Sequence, residues 1–176
     1  SIATTRATSA GSRYGVAKSA RRLAGLRLAQ QYRLPSRIQD FISEHHGTML
    51  THYQYTQAVQ AAGGDPDAVR EDDFRYPGPR PQSRETALLM LADGSEARVR
   101  AERPRDEQEL REIIQDVINQ RIKMGQLDDT SLSLRDLSGI VDSFVTTMRG
   151  VYHPRIEYPK LVPLPPGAEA SEEVEP

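Results

Sequence analysis

Apolar residues recur at helical spacing in several segments of this chain, and no segment alternates apolar and polar residues as a half-buried strand does. The clearest stripe lies between residues 106 and 124, and its apolar positions are Leu110, Ile113, Ile114, Val117, Ile118 and Ile122. Asp106 with Glu109 predicts a capping box at the start of this helix, and Gly125 predicts its end. The pattern predicts an all-α fold.

Two helices are predicted before that stripe, in the first half of the chain. Ser36 with Gln39 predicts the cap of the first one, and Gly47 predicts its left-handed C-terminal residue. Its apolar face consists of Ile38, Phe41 and Ile42. The second helix is predicted over residues 49–62, and its residues available for packing are Tyr53, Tyr55 and Val59.

Two more helices complete a set of five between residues 36 and 150. Ser83 predicts the cap of one that continues to Val99, and its run over residues 87–92 is apolar almost all round, which predicts burial. Ser133 with Asp136 predicts the cap of the last helix. Its inward residues are predicted to be Leu137, Ile140, Val141, Phe144, Val145 and Met148. We expect these helices to enclose one aliphatic core.

A connection of about twenty residues without helical pattern precedes Ser83, and loops of that length are usually functional or disordered. Three prolines stiffen its second half, residues 74–83. Its aromatic and cationic side chains suit stacking on a base or holding a phosphate. Rigid strapping of the fold is an equally good interpretation. We expect residues 74–82 to pack over the end of the first helix.

The composition restricts the chemistry that is available. The chain has 176 residues, which favours one domain, and it contains no cysteine and no tryptophan. A metal site would therefore use histidine and carboxylate ligands. No apolar run is long enough for a membrane span, and no secretory signal is recognisable, so we expect a cytoplasmic domain.

The two ends of the chain differ in charge. Residues 1–34 carry seven Lys or Arg and no acid, whereas residues 167–176 carry four Glu and no base. Residues 18–32 are compatible with a basic helix, and the segment before them is predicted to be disordered. No aromatic platform accompanies the basic residues, so we expect a solvated tail and no nucleic-acid polymer as a partner.

Two adjacent histidines, His45 and His46, follow the first helix of the pattern. On a helix they would point about 100° apart, which suits two neighbouring metal ions that each need an imidazole. A histidine near a helix C-terminus is also favoured by the macrodipole, so a capping or surface role stays open. His52 alone is more typical of a surface residue.

Asp93 directly follows the apolar run of residues 87–92. A carboxylate entering a buried helix needs a compensating charge, and a metal ion is one source of it. The alternative is a helix stop or bend at Asp93-Gly94. The first interpretation predicts that Asp93 lies roughly 4 to 6 Å from the nearest imidazole, since ligand bonds are near 2 Å.

A long, ordered series of residues resembles the C-terminal part of the cytoplasmic HD domain of seven-transmembrane HD-type cyclic di-AMP phosphodiesterases. The matching blocks are Tyr32-Arg33-Leu34-Pro35, Asp40-Phe41-Ile42, His45-His46-Gly47-Thr48, Phe74 to Glu85, Met90-Leu91-Ala92-Asp93 with Glu96-Ala97, Gly125-Gln126-Leu127-Asp128 and Tyr152 to Pro159. The resemblance covers residues 27–160. It places residues 1–26 outside the family, and residues 161–176 are interpreted as a disordered Pro/Glu-rich tail.

The resemblance implies a single HD-domain-like helical bundle and a metal-dependent phosphodiesterase. It assigns His45, His46 and Asp93 as metal ligands of a divalent pair, iron or manganese, that acts on a cyclic dinucleotide, cyclic di-AMP above all. Arg80 and Ser83 are candidates for the substrate phosphate on side-chain chemistry alone. His153 is interpreted as structural. The parent protein would lie in the inner (cytoplasmic) membrane, held there by segments absent from this chain.

The departure from the family concerns the earlier ligands. The family's His-Asp dyad and two further histidines stand before the paired ones, and this chain has no histidine before His45. The N-terminal part of the domain is therefore interpreted as missing or replaced. We expect weak metal binding and negligible hydrolysis by the chain alone. The alternative function is a non-catalytic helical binding module or a truncated remnant.

Overall fold

The computed structural model describes residues 22–151 of the chain, and the predictions for residues 1–17, for residues 161–176 and for His153 lie outside those residues. The basic helix with which residues 18–32 are compatible is present over residues 22–31. Six α-helices occur in the described part: α1 (residues 22–31 there), α2 (Ser36–Glu44), α3 (His52–Ala61), α4 (Arg84–Glu102), α5 (Glu107–Lys123) and α6 (Leu134–Val151). Two 3-10 turns, Pro66–Ala68 and Glu71–Phe74, join α3 to α4. The predicted all-α fold is confirmed.

The main core lies between α4, α5 and α6, and α2 packs on the outside of α4. The stripe predicted for α5 faces this core, except that Ile122 is 42% exposed. Buried side chains from the other two helices complete it: Ala87, Leu91, Val99, Val141, Val145 and Met148. Each large apolar side chain buried there contributes about 1.5 to 3 kcal/mol. The bundle therefore holds α4 and α5 in a fixed relation.

A second, smaller apolar cluster lies between α3 and the connection that follows it. Phe74 is fully buried there, and Tyr55 packs edge-on against it. Thr51 donates from both its backbone N–H and its hydroxyl to the Phe74 carbonyl, at 3.0 and 2.6 Å. The prediction that Tyr53 packs inward is wrong, because its ring is exposed and its hydroxyl accepts a hydrogen bond from Gln57. This cluster anchors the long connection to the start of α3.

The predicted boundaries of the first two helices need correction. Pro35, with extended backbone, precedes α2, and no side chain caps the helix, so Ser36 already belongs to the first turn. The helix ends at Glu44 rather than near Gly47. Helix α3 begins at His52 rather than Met49, because residues 49–51 pair with residues 74–76 instead, including a bridge between Leu50 and Arg75.

Helix α4 begins at the predicted cap and runs further than predicted. Ser83 and Thr86 form a capping box, and the helix continues without a stop through Asp93-Gly94 to Glu102. The predicted burial of residues 87–92 is only partly correct, because Leu88 and Leu89 are about two-fifths exposed. A helix at the edge of a bundle buries one face only. Asp93 therefore lies within a continuous helix.

The caps of the last two helices differ. Asp106 accepts from the Glu109 N–H at 2.8 Å, but the Glu109 carboxylate bonds Arg105 rather than the Asp106 N–H, so the predicted box is half formed. Ser133 and Asp136 form the complete reciprocal pair that was predicted for α6. None of the helices in residues 22–151 combines the length and the apolar character that crossing a bilayer requires.

Candidate functional site

His45 and His46 lie in a tight turn after α2, not within the helix. The N–H of His45 still bonds the Phe41 carbonyl, but the chain then reverses so that the Gly47 N–H donates to the Glu44 carbonyl at 2.8 Å. Gly47 has φ +51°, the left-handed conformation that was predicted for it, three residues beyond the helix end. The turn places the His46 imidazole next to α4, where Asp93 lies.

The two imidazole rings are close neighbours. Their centroids are 3.9 Å apart with planes tilted by 41°, and the other face of the pair is covered by Tyr76, whose ring stacks on His46 at 4.3 Å. Tyr76 belongs to the proline-rich connection, so the prediction that this segment packs over the histidines is confirmed. The stacking restricts the rotation of His46 about its side-chain bonds.

The tautomer of His45 follows from its hydrogen bond. Nδ1 of His45 lies 2.5 Å from the Phe41 carbonyl oxygen, and a carbonyl oxygen can only accept, so Nδ1 carries the proton. In the neutral imidazole the lone pair is then on Nε2. A backbone carbonyl that fixes the tautomer in this way is a common partner of histidines that bind metals.

Asp93 reaches the histidines from α4. Its Oδ2 lies 3.9 Å from Nδ1 of His46, and the two side chains are 55% and 41% exposed. Two ligand bonds of about 2 Å each span at most about 4 Å, so a single cation could bind both atoms. The argument that Asp93 is buried and needs compensation is wrong, because water reaches the carboxylate. Its role as a ligand stays a prediction.

The donor set is incomplete by itself. Within residues 22–151 no group of three or more His, Asp or Glu side chains converges as metal ligation requires. Protein metal sites with histidine and carboxylate ligands generally use at least three protein groups. His46 and Asp93 therefore fit a metal ion as one pair of donors only, and an ion bound there would need further ligands. His52 lies on the exposed surface at the start of α3.

Arg121 of α5 is a neighbour of Asp93 that the sequence did not single out. Burial lowers the pKa of its guanidinium, and the negative charge of Asp93 opposes that shift. Gly94 makes room for it, because a Cβ at that position would lie 2.8 Å from Nη2 of Arg121. The site therefore contains a partly buried cation beside its carboxylate.

Arg80 and Ser83 both have protein partners in this structure. Arg80 donates to the Gly125 carbonyl at 2.8 Å, and its guanidinium also pairs with Asp129 at 3.0 Å and Asp128 at 3.4 Å. The Ser83 hydroxyl accepts from the Thr86 N–H at 3.2 Å. These contacts join the proline-rich segment to the turn after α5, as the strapping interpretation expects. A role at a substrate phosphate stays a prediction.

Two buried polar side chains flank the histidine turn, and sequence reasoning missed both. Glu44 is 7% exposed, and its Oε2 accepts from the Gln82 N–H at 2.8 Å and from the Thr86 hydroxyl at 2.7 Å. Gln126 is 3% exposed and bonds Thr48 twice. The available signal was a carboxylate directly before two histidines and a glutamine directly after Gly125, both outside the apolar stripes.

Three relatives match about three quarters of the chain in sequence. No protein-family model matches the chain. The cyclic-di-AMP phosphodiesterases PgpH of Bacillus subtilis and Listeria monocytogenes are 32% and 35% identical to it over 136 and 135 residues, 77% of this chain in each case. The uncharacterized protein slr0104 of Synechocystis sp. is 43% identical over 138 residues. The chain spans only 17% to 19% of the length of these relatives.

Two solved structures share the fold. The L. monocytogenes phosphodiesterase PgpH HD domain in complex with cyclic-di-AMP matches with a TM-score of 0.66 and 34% identity, over 76% of this chain and 61% of that one. A second structure of the same HD domain matches with a TM-score of 0.64 and 31% identity, over 73% of this chain and 58% of that one. Sequence and fold therefore point to the same relatives.

Proposed function

We propose that this chain, a homologue of the PgpH phosphodiesterases with the fold of their HD domain, forms part of a metal-dependent phosphodiesterase that hydrolyses a cyclic dinucleotide, cyclic di-AMP first among them. The observation that carries the proposal is the pairing of His46 with Asp93 at 3.9 Å in a chain 32% to 35% identical to cyclic-di-AMP phosphodiesterases. That spacing is within the reach of two ligand bonds to one cation.

The residues of this chain would each have a distinct task. His46 and Asp93 would hold one metal ion between them, and His45 would offer Nε2 to a neighbouring one because its Nδ1–H is held by the Phe41 carbonyl. A bound pair of iron or manganese ions would supply an activated water and neutralise charge on the phosphodiester. Arg121 would add positive charge behind Asp93.

The remaining ligands would come from a segment that precedes this one in the parent protein. This chain matches 61% of the Listeria HD-domain chain, and its own described donors are too few for a pair of ions. We assign the chain to the C-terminal part of the domain because its residue blocks resemble that part of the family. In the parent protein the domain would face the cytoplasm, and segments outside this chain would anchor it to the inner membrane.

Arg80 and Ser83 remain the candidates for contact with the substrate phosphate. Arg80 is about one-third exposed and already neutralises Asp128 and Asp129. A phosphate would have to share or replace those contacts. Removal of the Arg80 side chain is therefore expected to reduce both substrate affinity and the fit of the proline-rich segment. Removal of Asp93 should instead affect turnover and leave the segment in place.

The direct test fuses the chain to the unmatched part of the Listeria HD domain and measures release of the linear dinucleotide from cyclic di-AMP with added Mn²⁺. We expect turnover by the fusion and negligible turnover by the isolated chain. His45→Ala, His46→Ala and Asp93→Ala in the fusion should each lower turnover at least about 100-fold, because each removes a direct ligand.

His52→Ala is the matched control, since His52 is exposed on α3 and has no place in the site. Its turnover should stay within about twofold of the parent fusion. An inactive but folded fusion would favour the alternative of a non-catalytic helical module. Robust metal-dependent turnover by the isolated chain would show that the ligand count from residues 22–151 is wrong.

A further inference from the structure

Both ends of the histidine turn are fastened to other helices by buried polar side chains. Glu44 stands directly before His45, and Thr48 stands two residues after His46. Each end is attached to a different part of the bundle, α4 in one case and the turn after α5 in the other. The turn therefore does not depend on its own short hydrogen bonds alone.

The first attachment is a carboxylate that receives two donors. Glu44 Oε2 accepts from the Gln82 N–H and from the Thr86 hydroxyl, and the same hydroxyl completes the cap of α4 with Ser83. A buried carboxylate is tolerated only when hydrogen bonds replace its lost hydration. Glu44 therefore holds a unique position relative to the first turn of α4.

The attachment to α4 also links the histidines to Asp93. Thr86 and Asp93 are seven residues apart on one uninterrupted helix, which places them on the same face about two turns apart. Glu44 binds the first of these residues, and His46 lies 3.9 Å from the second. The same helix, α4, therefore fixes both the position of the turn and that of Asp93, and so the distance between the His46 imidazole and the Asp93 carboxylate.

The second attachment is the side-chain amide of Gln126, whose oxygen and nitrogen both bond to Thr48. Gln126 Oε1 accepts from the Thr48 N–H at 3.0 Å, and Nε2 donates to the Thr48 hydroxyl at 2.8 Å. Nε2 is held in turn by the Met124 carbonyl at 3.3 Å. A Cβ on Gly47 would lie 2.3 Å from Oε1, so the close approach needs glycine there.

We propose that Glu44 and Gln126 are positioning residues of the phosphodiesterase: through Thr86 and Thr48 they fix the direction in which His45 and His46 present their nitrogens to the metal. The proposal rests on the function proposed above. The apolar face of α2 cannot provide this control, because the histidines lie beyond the end of that helix. Two directional contacts on either side of the turn leave it little freedom to rotate.

The test replaces each threonine by valine, which keeps the shape and removes the hydroxyl, and by serine, which keeps the hydroxyl. Thr86→Val removes one of the two donors to the Glu44 carboxylate, and Thr48→Val removes one of the two bonds between Gln126 and Thr48. Asp106→Ala is the control for stability, because it also removes a helix cap but lies at α5, away from the turn. All variants are made in the 176-residue chain.

The first measurement needs no metal. Side-chain nitrogen NMR reports the tautomer and environment of each imidazole, and we expect both valine variants to shift or broaden the His45 and His46 signals while both serine variants and Asp106→Ala keep them. The second measurement is Mn²⁺ affinity, by EPR of the free ion. It should fall about tenfold in the valine variants, as outer contacts of metal ligands usually do, and recover to within about twofold with serine.

The outcomes separate the two proposals. Valine variants that keep the parent imidazole signals would overturn the positioning role, whatever metal does. Loss of helical circular dichroism in both valine variants would also overturn it, because the contacts would then support the fold rather than direct the rings. Absence of metal-dependent turnover by the folded fusion would count against the proposed function, and the metal-free comparison in the chain alone would still decide the positioning role.

Discussion

The helical bundle and the histidine turn of this protein are held together by different forces. Between α4, α5 and α6 the buried contacts are mainly apolar and come from many aliphatic side chains. Around residues 44–48 the buried groups are polar, and Glu44, Thr86 and Gln126 each have specific hydrogen-bond partners. One region is a packed interior, and the other is a small network that fixes a chain reversal.

The difference explains how stability and geometry are divided in the molecule. Apolar burial is non-directional and adds up over many residues, so it stabilises the bundle without specifying where a ring points. A buried hydrogen bond contributes only about 1 kcal/mol net, but leaving a buried partner unsatisfied costs about 1 to 3 kcal/mol, and its geometry is narrow. The bundle therefore supplies the free energy of folding, and the turn network supplies direction.

The largest expected effect is on the bundle. Leu91→Ala removes a side chain with no exposed surface at the centre of α4, so unfolding free energy should fall by about 2 to 5 kcal/mol. Leu88→Ala on the same helix is the matched control, because Leu88 is 42% exposed and should cost less than about 1.5 kcal/mol. Urea denaturation of both variants measures the contrast, and equal losses would contradict the described core.

Gly47→Ala should break the turn instead. A side chain at φ +51° costs about 1 to 2 kcal/mol, and its Cβ would displace the buried Gln126 from its bonds to Thr48, for a total of about 2 to 4 kcal/mol. Gly64→Ala has φ +85° and open space, so it tests the backbone effect alone. The difference between the two unfolding free energies reports the contacts of the new Cβ with Gln126 and with the Met90 side chain, and no difference would contradict them.

The bundle was predictable because its signals are local. The stripe of α5, the capping box of Ser133 with Asp136 and the left-handed Gly125 all depend on residues within a few positions of each other. The errors occur where longer contacts override the local pattern. Residues 49–51 pair with residues 74–76 rather than starting α3, because those backbone groups find partners across the connection.

The candidate site was predictable only in part. The sequence predicted that His45, His46 and Asp93 lie close together as metal ligands. In the structure, Nδ1 of His46 and Oδ2 of Asp93 are 3.9 Å apart. It could not identify Glu44 or Gln126, because their partners are 38 to 78 residues away and a single polar residue carries no period. Directional contacts between distant residues leave no repeating pattern in one sequence.

A smaller effect of opposite sign is expected far from the turn. Gly139→Ala lies in the exposed interior of α6 with nothing within 4 Å of the new Cβ, so it should stabilise the bundle by about 0.5 to 1 kcal/mol. Gly94→Ala in α4 is the contrasting case, because its Cβ would crowd Arg121 and Val117, and it should gain less or lose stability. Thermal unfolding measures both. The His46 resonance should be unchanged in Gly139→Ala.

The smallest effect concerns a polar contact that water reaches, at the start of α6. Hydrogen bonds from the Ser133 hydroxyl and N–H, helped by Arg84, lower the pKa of Asp136 from 3.8 to about 2. A carboxyl whose pKa is lower in the folded state stabilises the fold fully above 3.8, and this contribution disappears as the pH falls through about 2. Ser133→Ala should move the pKa of Asp136 back toward 3.8, as followed by carboxyl-carbon NMR. The variant should be less stable than the parent chain at pH 4, and this difference in unfolding free energy should become smaller as the pH falls to 2.

Because the contact between Ser133 and Asp136 is exposed, the metal-free imidazole signals of His45 and His46 should not respond to Ser133→Ala, in contrast to Thr48→Val. An imidazole response to Ser133→Ala would mean that the turn and the bundle are not held independently.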